Sequence, residues 1–199
     1  TIWFNKIDVS GTFTQSSQVL GEDGSQMVAI GDVNGDDFPD VVTTTSYISG
    51  ESANRVWLNS GNGYFNSELT FNQWTYSYAL ALGDVDMDGH LDAVIGNDGA
   101  PNALWLNDGM GNFTDSGQSL GGARSESLDL GDLDGDGDLD IFMGLDADHD
   151  TVWLNGGGFN QPGDSNLGSG SFSATWFAPM STPTSRGVTL GDINLDGDL

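Results

Sequence analysis

Apolar residues in this chain fall in short runs, and no window carries the 3.6-residue apolar period of a helix. Runs of about four apolar residues recur at Met27–Ile30, Ala79–Leu82, Ser127–Leu130 and Gly187–Leu190, each closed by Gly-Asp. A polar stretch follows, then a β-branched or bulky run at Val41–Thr45, Ala93–Ile95 and Ile141–Met143. Arg55–Asn59, Ala103–Asn107 and Thr151–Asn155 form a third type of run, built on Trp-Leu-Asn. A Gly-rich turn then leads into a fourth run through Phe65, Phe113 or Phe159. Short runs bounded by Gly, Asn and Asp are strand signals, so the pattern predicts four strands per unit.

The unit repeats. The Gly-Asp aspartates Asp32, Asp84, Asp132 and Asp192 are spaced by 52, 48 and 60 residues. Trp3, Trp57, Trp105 and Trp153 are spaced by 54, 48 and 48, and the two motifs alternate strictly. Four strands in about 50 residues, repeated, predict the blades of a β-propeller. Solenoid repeats are shorter, and sandwiches do not repeat at this period. The expected fold is all-β: one propeller segment over 1–199 with antiparallel four-stranded blades. Its repeats are approximately 1–20 (partial), 21–70, 71–120, 121–175 and 176–199 (partial). The stretch 156–187 lengthens the last full unit. Opening on a Trp-Phe-Asn strand and closing inside an aspartate ladder, the chain reads as part of a larger propeller, for instance a seven-bladed one. The alternative is circular closure, with Trp3–Asn5 completing the blade that Asp192 begins.

The polar stretches are aspartate ladders, of which "GDLDGDGDLD" at 131–140 is the densest. Aligned, they place oxygen side chains at loop positions 1, 3, 5 and 9: Asp32, Asn34, Asp36 and Asp40; Asp84, Asp86, Asp88 and Asp92; Asp132, Asp134, Asp136 and Asp140; and Asp192, Asn194 and Asp196. Position 7 adds a backbone carbonyl from Phe38, His90, Asp138 or Asp198. An all-oxygen shell suits Ca²⁺, whose geometry is loose, better than Mg²⁺, and Zn²⁺ would want His or Cys. One ion per repeat, up to four, is expected. Gly89, Gly137 and Gly197 at position 6 permit a sharp turn, while Asp37 there leaves two outcomes open, a strained loop or a left-handed conformation at some cost. These are not EF-hands, because position 12 holds Thr43, Ile95 or Met143 instead of Glu.

Charge strengthens that expectation. The chain has 30 acidic and 4 basic residues, a net −26. That excludes an electrostatic footprint for nucleic acid or anionic membrane. More than half of the acids lie in the ladders, where divalent ions would offset them. With 37% hydrophobic residues the chain can still bury a core. It has no cysteine, which excludes disulfides and thiol chemistry, and no apolar stretch long enough to span a membrane as a helix.

Apolar-Gly-Asp followed by the ladder, and then "WLNDGMGNF", resembles the FG-GAP/VCBS repeats of integrin-α-like β-propellers. The resemblance covers essentially the whole chain. It implies calcium in the loop joining the first two strands of each blade, and a secreted, extracellular setting. It also implies a binding or structural module whose partner is carbohydrate or extracellular protein, as in adhesion proteins and lectins. One alternative comes with it, a polysaccharide-active enzyme of the lyase type or its accessory domain; a further one, apart from the resemblance, is a self-assembling subunit of an extracellular filament or coat.

Trp3, Trp57, Trp105 and Trp153 are expected in the packing between blades. Trp74 and Trp176, read as lying upstream of inner strands, are candidates for stacking on sugar rings. Arg124 and Arg186, a few residues before their Gly-Asp aspartates, are candidates for an anionic partner or for local ion pairs. Neither His90 nor His149 has a nucleophile at motif spacing, so no catalytic residue is assigned. Asn112 in "NFT" is an N-glycosylation sequon.

Overall fold

The computed structural model describes residues 2–5, 12–20, 24–45, 53–73, 75–146, 149–156, 170–177 and 185–192. Among them there is no helix; there are fourteen strands. The first two, β1 (Trp3–Asn5) and β2 (Phe13–Gln15), form an antiparallel hairpin. The other twelve make three four-stranded antiparallel sheets in simple chain order. The first holds β3 (Ser25–Gly31), β4 (Asp40–Thr45), β5 (Ala53–Asn59) and β6 (Phe65–Gln73). The second holds β7 (Tyr76–Gly83), β8 (Asp92–Asp98), β9 (Ala103–Asn107) and β10 (Phe113–Ser119). The third holds β11 (Ser125–Gly131), β12 (Asp140–Leu145), β13 (Thr151–Asn155) and β14 (Phe172–Phe177). The sheets are propeller blades: β7 packs between β3 and β11, so the first strands of successive blades stand side by side.

Both faces of the middle blade are buried, and the alternation of its strands decides what each face meets. Leu80, Ala93 and Ile95 point back and join Val33, Val42, Val56 and Phe71 of the first blade in one core. Ala79, Val94 and Leu104 point forward and join Leu128, Ile141, Met143 and Phe172 of the third. Trp105 packs against the first core and Trp153 against the second, which is the inter-blade role expected for this tryptophan. Phe71 meets Trp105 edge-on at 5.5 Å between ring centres and stacks on Phe113 at 4.9 Å.

Glycine sets how closely the blades approach. A Cβ on Gly83, the glycine of Gly-Asp, would lie 2.7 Å from Leu130 and 2.8 Å from Leu139 of the next blade. Gly31 is covered in the same way by Leu91. Gly96 is tighter in kind: its Cβ would fall 2.6 Å from the Cβ of Ser125 and 2.8 Å from that of Ala79, atoms that move only with the backbone.

Two strand expectations are corrected. The fourth strand of the third blade is Phe172–Phe177, not a run through Phe159, which lies outside the described residues. Phe172 stands opposite Asn155 as Phe113 stands opposite Asn107 and Phe65 opposite Asn59. The pairing that opens the fourth strand is therefore the same in all three blades. In consequence Trp176 sits on an outermost strand, opposite Val152, and not on a loop before an inner strand. Residues 187–190 form no strand, because among the described residues they have no ladder partner. They lie along the third blade, held by Leu190 N–H donating to Asp129 (2.8 Å) and by Ser185 Oγ–H donating to Asp150 (2.6 Å).

The glycine contacts predict an order of damage. Gly96→Ala should cost about 3 kcal/mol, the upper end for overpacking, because the opposing atoms cannot swing away. Gly83→Ala should cost about 1 kcal/mol, because leucine side chains can turn. Chemical denaturation of the two variants checks the ranking.

Candidate metal centre

Each ladder occupies the connection between the first two strands of its blade: residues 32–39, 84–91 and 132–139. The loop closes on its own first aspartate. Asp132 Oδ1 accepts the amides of Gly135 (2.8 Å) and Asp136 (3.0 Å), and Oδ2 that of Gly137 (2.9 Å). Asp32 does the same with Gly35, Asp36 and Asp37, and Asp84 with Gly89. Burial alone would raise Asp32, but the amides of Asp37, Asp36, Gly35 and Asn34 outweigh it and hold the carboxyl below its ordinary range.

Winding the loop this tightly takes two left-handed residues. At position 6, Gly89 and Gly137 have φ of 92° and 95°, and Asp37 takes 67°, the left-handed one of its two expected outcomes. Position 4 is left-handed too, a need the sequence reading missed: Gly35 and Gly135 supply it freely, but the second loop places Met87 there with φ 60°.

The winding brings three carboxylates together. Oxygens of Asp84, Asp86 and Asp88 lie within 4.8 Å of one another, and so do those of Asp132, Asp134 and Asp136. These are positions 1, 3 and 5. In the first loop position 3 is Asn34, whose Nδ2 donates to Asp36 (3.0 Å). The donors are oxygen only, which fits a hard divalent cation. Asp84 Oδ1 is buried with no hydrogen-bond partner, as a ligand atom kept for an ion would be. Asp86 is raised above its ordinary value, first by burial and then by the charges of Asp88 and Asp84, against one amide bond from Asp88; a cation would relieve that repulsion.

The position 7 amides of Phe38, His90 and Asp138 donate to the position 5 carboxylates at 2.9–3.0 Å. The side chains of Phe38 and His90 turn away and cover Gly61 and Gly109 in the turn between the third and fourth strands. Position 9 is different from the rest. Asp40, Asp92 and Asp140 are fully buried, each with both oxygens engaged. Asp92 Oδ2 accepts from Val85 N–H (3.1 Å) in its loop, and Oδ1 from Asn107 N–H (2.9 Å) at the end of β9. Asp40 is bound likewise by Val33 and Asn59, and Asp140 by Leu133 and Asn155. Burial pushes Asp92 and Asp140 up to about 6, against the pull of those amides, with neighbouring loop carboxylates adding to the rise.

The asparagine of Trp-Leu-Asn has a role the sequence reading did not assign. Asn107 Oδ1 accepts from Gly109 and Gly111 N–H, closing its turn, while its Nδ2 donates to Leu91 O and to Val33 O of the previous blade. Asn155 reaches back to Val85 O in the same way (2.7 Å). The available signal was that this Asn accompanies every Trp copy: Asn5, Asn59, Asn107 and Asn155.

The remaining candidates disperse. Asp192 is partly buried beyond the third blade, while Asn194, Asp196, Asp198 and Trp74 lie outside the described residues. Arg124 immediately precedes β11, on the side away from its loop. It pairs with Glu126 (2.9 Å), Asp146 (3.4 Å) and Asp98 (3.7 Å) and lies 4.5 Å over the Tyr78 ring, so local ion pairs account for it. Arg186 is exposed. Asn112 donates its Nδ2 to Asp108 (2.9 Å).

The family model of the FG-GAP-like repeat matches three overlapping segments, residues 32–95, 84–143 and 132–199. Each match starts on the first aspartate of a ladder. No curated protein is similar enough to match the chain.

Two measurements follow. Met87→Gly should raise stability by about 1 kcal/mol, since glycine takes the left-handed region without a Cβ clash. For the metal-free chain, Asp92 and Asp140 bind protons more readily folded than unfolded, so acidification favours the fold. Its melting temperature should rise as the pH falls from 7 through 6 toward 4, and a divalent cation held in the loops should weaken that slope. Thermal melts across that range check the sign.

Proposed function

The chain belongs to the FG-GAP-like repeat family, and on that premise we propose that it is a secreted, calcium-stabilised propeller module that recognises carbohydrate or an extracellular protein. The observation that carries the calcium reading is the recurrence of one cluster, Asp84, Asp86 and Asp88 and then Asp132, Asp134 and Asp136, at the same place in consecutive blades. A cation held there neutralises the loop, and in binding only the folded form it stabilises the blade. The ligands proposed are positions 1, 3, 5 and 9 of each ladder with the position 7 carbonyl, and Asn34 and Asn194 standing at position 3 of the first and fourth.

A binding role is supported by what the loop end of the blades presents. Tyr64, Met87 and Met110 are 51%, 55% and 70% exposed on the ion loops and on the turns beside them. Apolar side chains set among carboxylates suit a recognition surface on loops positioned by a rigid scaffold. Arg55 and Arg124 are both taken up by carboxylates, which favours recognition over lyase chemistry on a uronate.

Removing calcium should lower the melting temperature in EGTA, and magnesium should restore less of it than calcium does. At ten times Kd each site adds about 1.4 kcal/mol. A melting curve indifferent to calcium would sink the reading. A glycan array probed with and without calcium tests the partner class.

A further inference from the structure

We propose that the ion loops of consecutive blades bind calcium cooperatively, with Asn107 and Asn155 as the positioning residues that couple them; this rests on the calcium reading above. An unbroken chain of hydrogen bonds joins the three loops. Asp40 accepts from Val33 N–H (3.1 Å), and Val33 O accepts from Asn107 Nδ2 (2.9 Å). The amide of Asn107 donates to Asp92 (2.9 Å), which also holds Val85 N–H (3.1 Å). Val85 O accepts from Asn155 Nδ2 (2.7 Å), the Asn155 amide donates to Asp140 (2.9 Å), and Asp140 holds Leu133 N–H (2.8 Å).

The route matters because every member is fixed at both ends. Val33 and Val85 are buried, as are Asn107, Asn155 and the three aspartates. A single valine residue carries the signal from a carboxylate on its N–H to an amide on its C=O. Each asparagine carries it from its side chain to its own backbone N–H. A cation drawing Asp92 into place therefore sets the end of β9, and with it the side chain that anchors position 2 of the previous loop. Position 2 then sets Asp40. The same dependence runs from the third loop to the second through Asn155. Adjacent loops are rigid together or loose together, and an ion that orders one lowers the ordering cost at the next.

The test uses the whole chain, a calcium titration and amide NMR signals of Asp37, Gly89 and Gly137, which report on the three loops separately. Wild type should show the three signals moving over the same narrow range of calcium. Asp88→Ala, which strips the second loop of its position 5 carboxylate, an aspartate in every loop, should weaken binding at the first about tenfold, within the usual range for coupled sites. Asn107→Asp keeps an oxygen for Gly109 and Gly111 but removes the donor to Val33 O, and should weaken the first loop to a similar degree. The double variant should then be no weaker at the first loop than either single one. If Asn107→Asp fails to fold, Asp88→Ala decides alone. A first loop that titrates in Asp88→Ala as in wild type overturns the coupling while leaving calcium binding intact. No signal moving in wild type, at calcium well above the roughly millimolar Kd of extracellular modules, overturns the calcium reading itself.

Discussion

A buried carboxylate that must ionise next to other carboxylates is the constraint around which each blade is arranged. Asp40, Asp92 and Asp140 are out of contact with water, yet each is the first residue of a strand leaving a loop full of like charge. Burial costs a carboxylate dearly unless donors meet it. Here two amides do, one from the loop and one from the end of the third strand. The same contact that makes the charge tolerable thereby ties three strands of a blade to the geometry of its loop. Burial still lifts Asp92 and Asp140 to about 6, so the two amides offset its cost only in part.

Packing between blades follows from the same frame. Strands buried on both faces read as continuous apolar runs, and the middle blade sends alternate residues to two separate cores. Glycine at Gly31, Gly83 and Gly96 lets those cores close to van der Waals contact. Asparagine then adds the polar stitch across the junction, reaching a carbonyl that the loop leaves available. Hydrophobic contact brings the blades together, and hydrogen bonds fix their registry.

Period and strand order were legible in the sequence because both are local. Gly-Asp, the ladder and Trp-Leu-Asn each mark a turn or a strand end, and their spacing gives the blade. The left-handed residue at position 6 was legible for the same reason. Three things were not. Met87 hides the second left-handed position, since nothing in a methionine signals it. Asn107 and Asn155 act through a neighbouring blade, 74 and 70 residues away in sequence from their carbonyl partners, and no spacing within one repeat carries that contact. The fourth strand of the third blade was placed at the first aromatic after the turn, Phe159, when the ladder resumes at Phe172. A turn sets no upper bound on its own length, so the nearest aromatic was a poor guide.

That last turn has a wider consequence. Asn155 meets Phe172 as Asn107 meets Phe113, although the intervening segment is far longer in one blade than in the other. Closing a longer loop costs only slowly more, so this corner of a blade can accept new sequence with little penalty to its neighbours. The scaffold therefore offers evolution, or an engineer, a graft point at which new surface can be added without retuning the hydrogen-bonded frame beneath it.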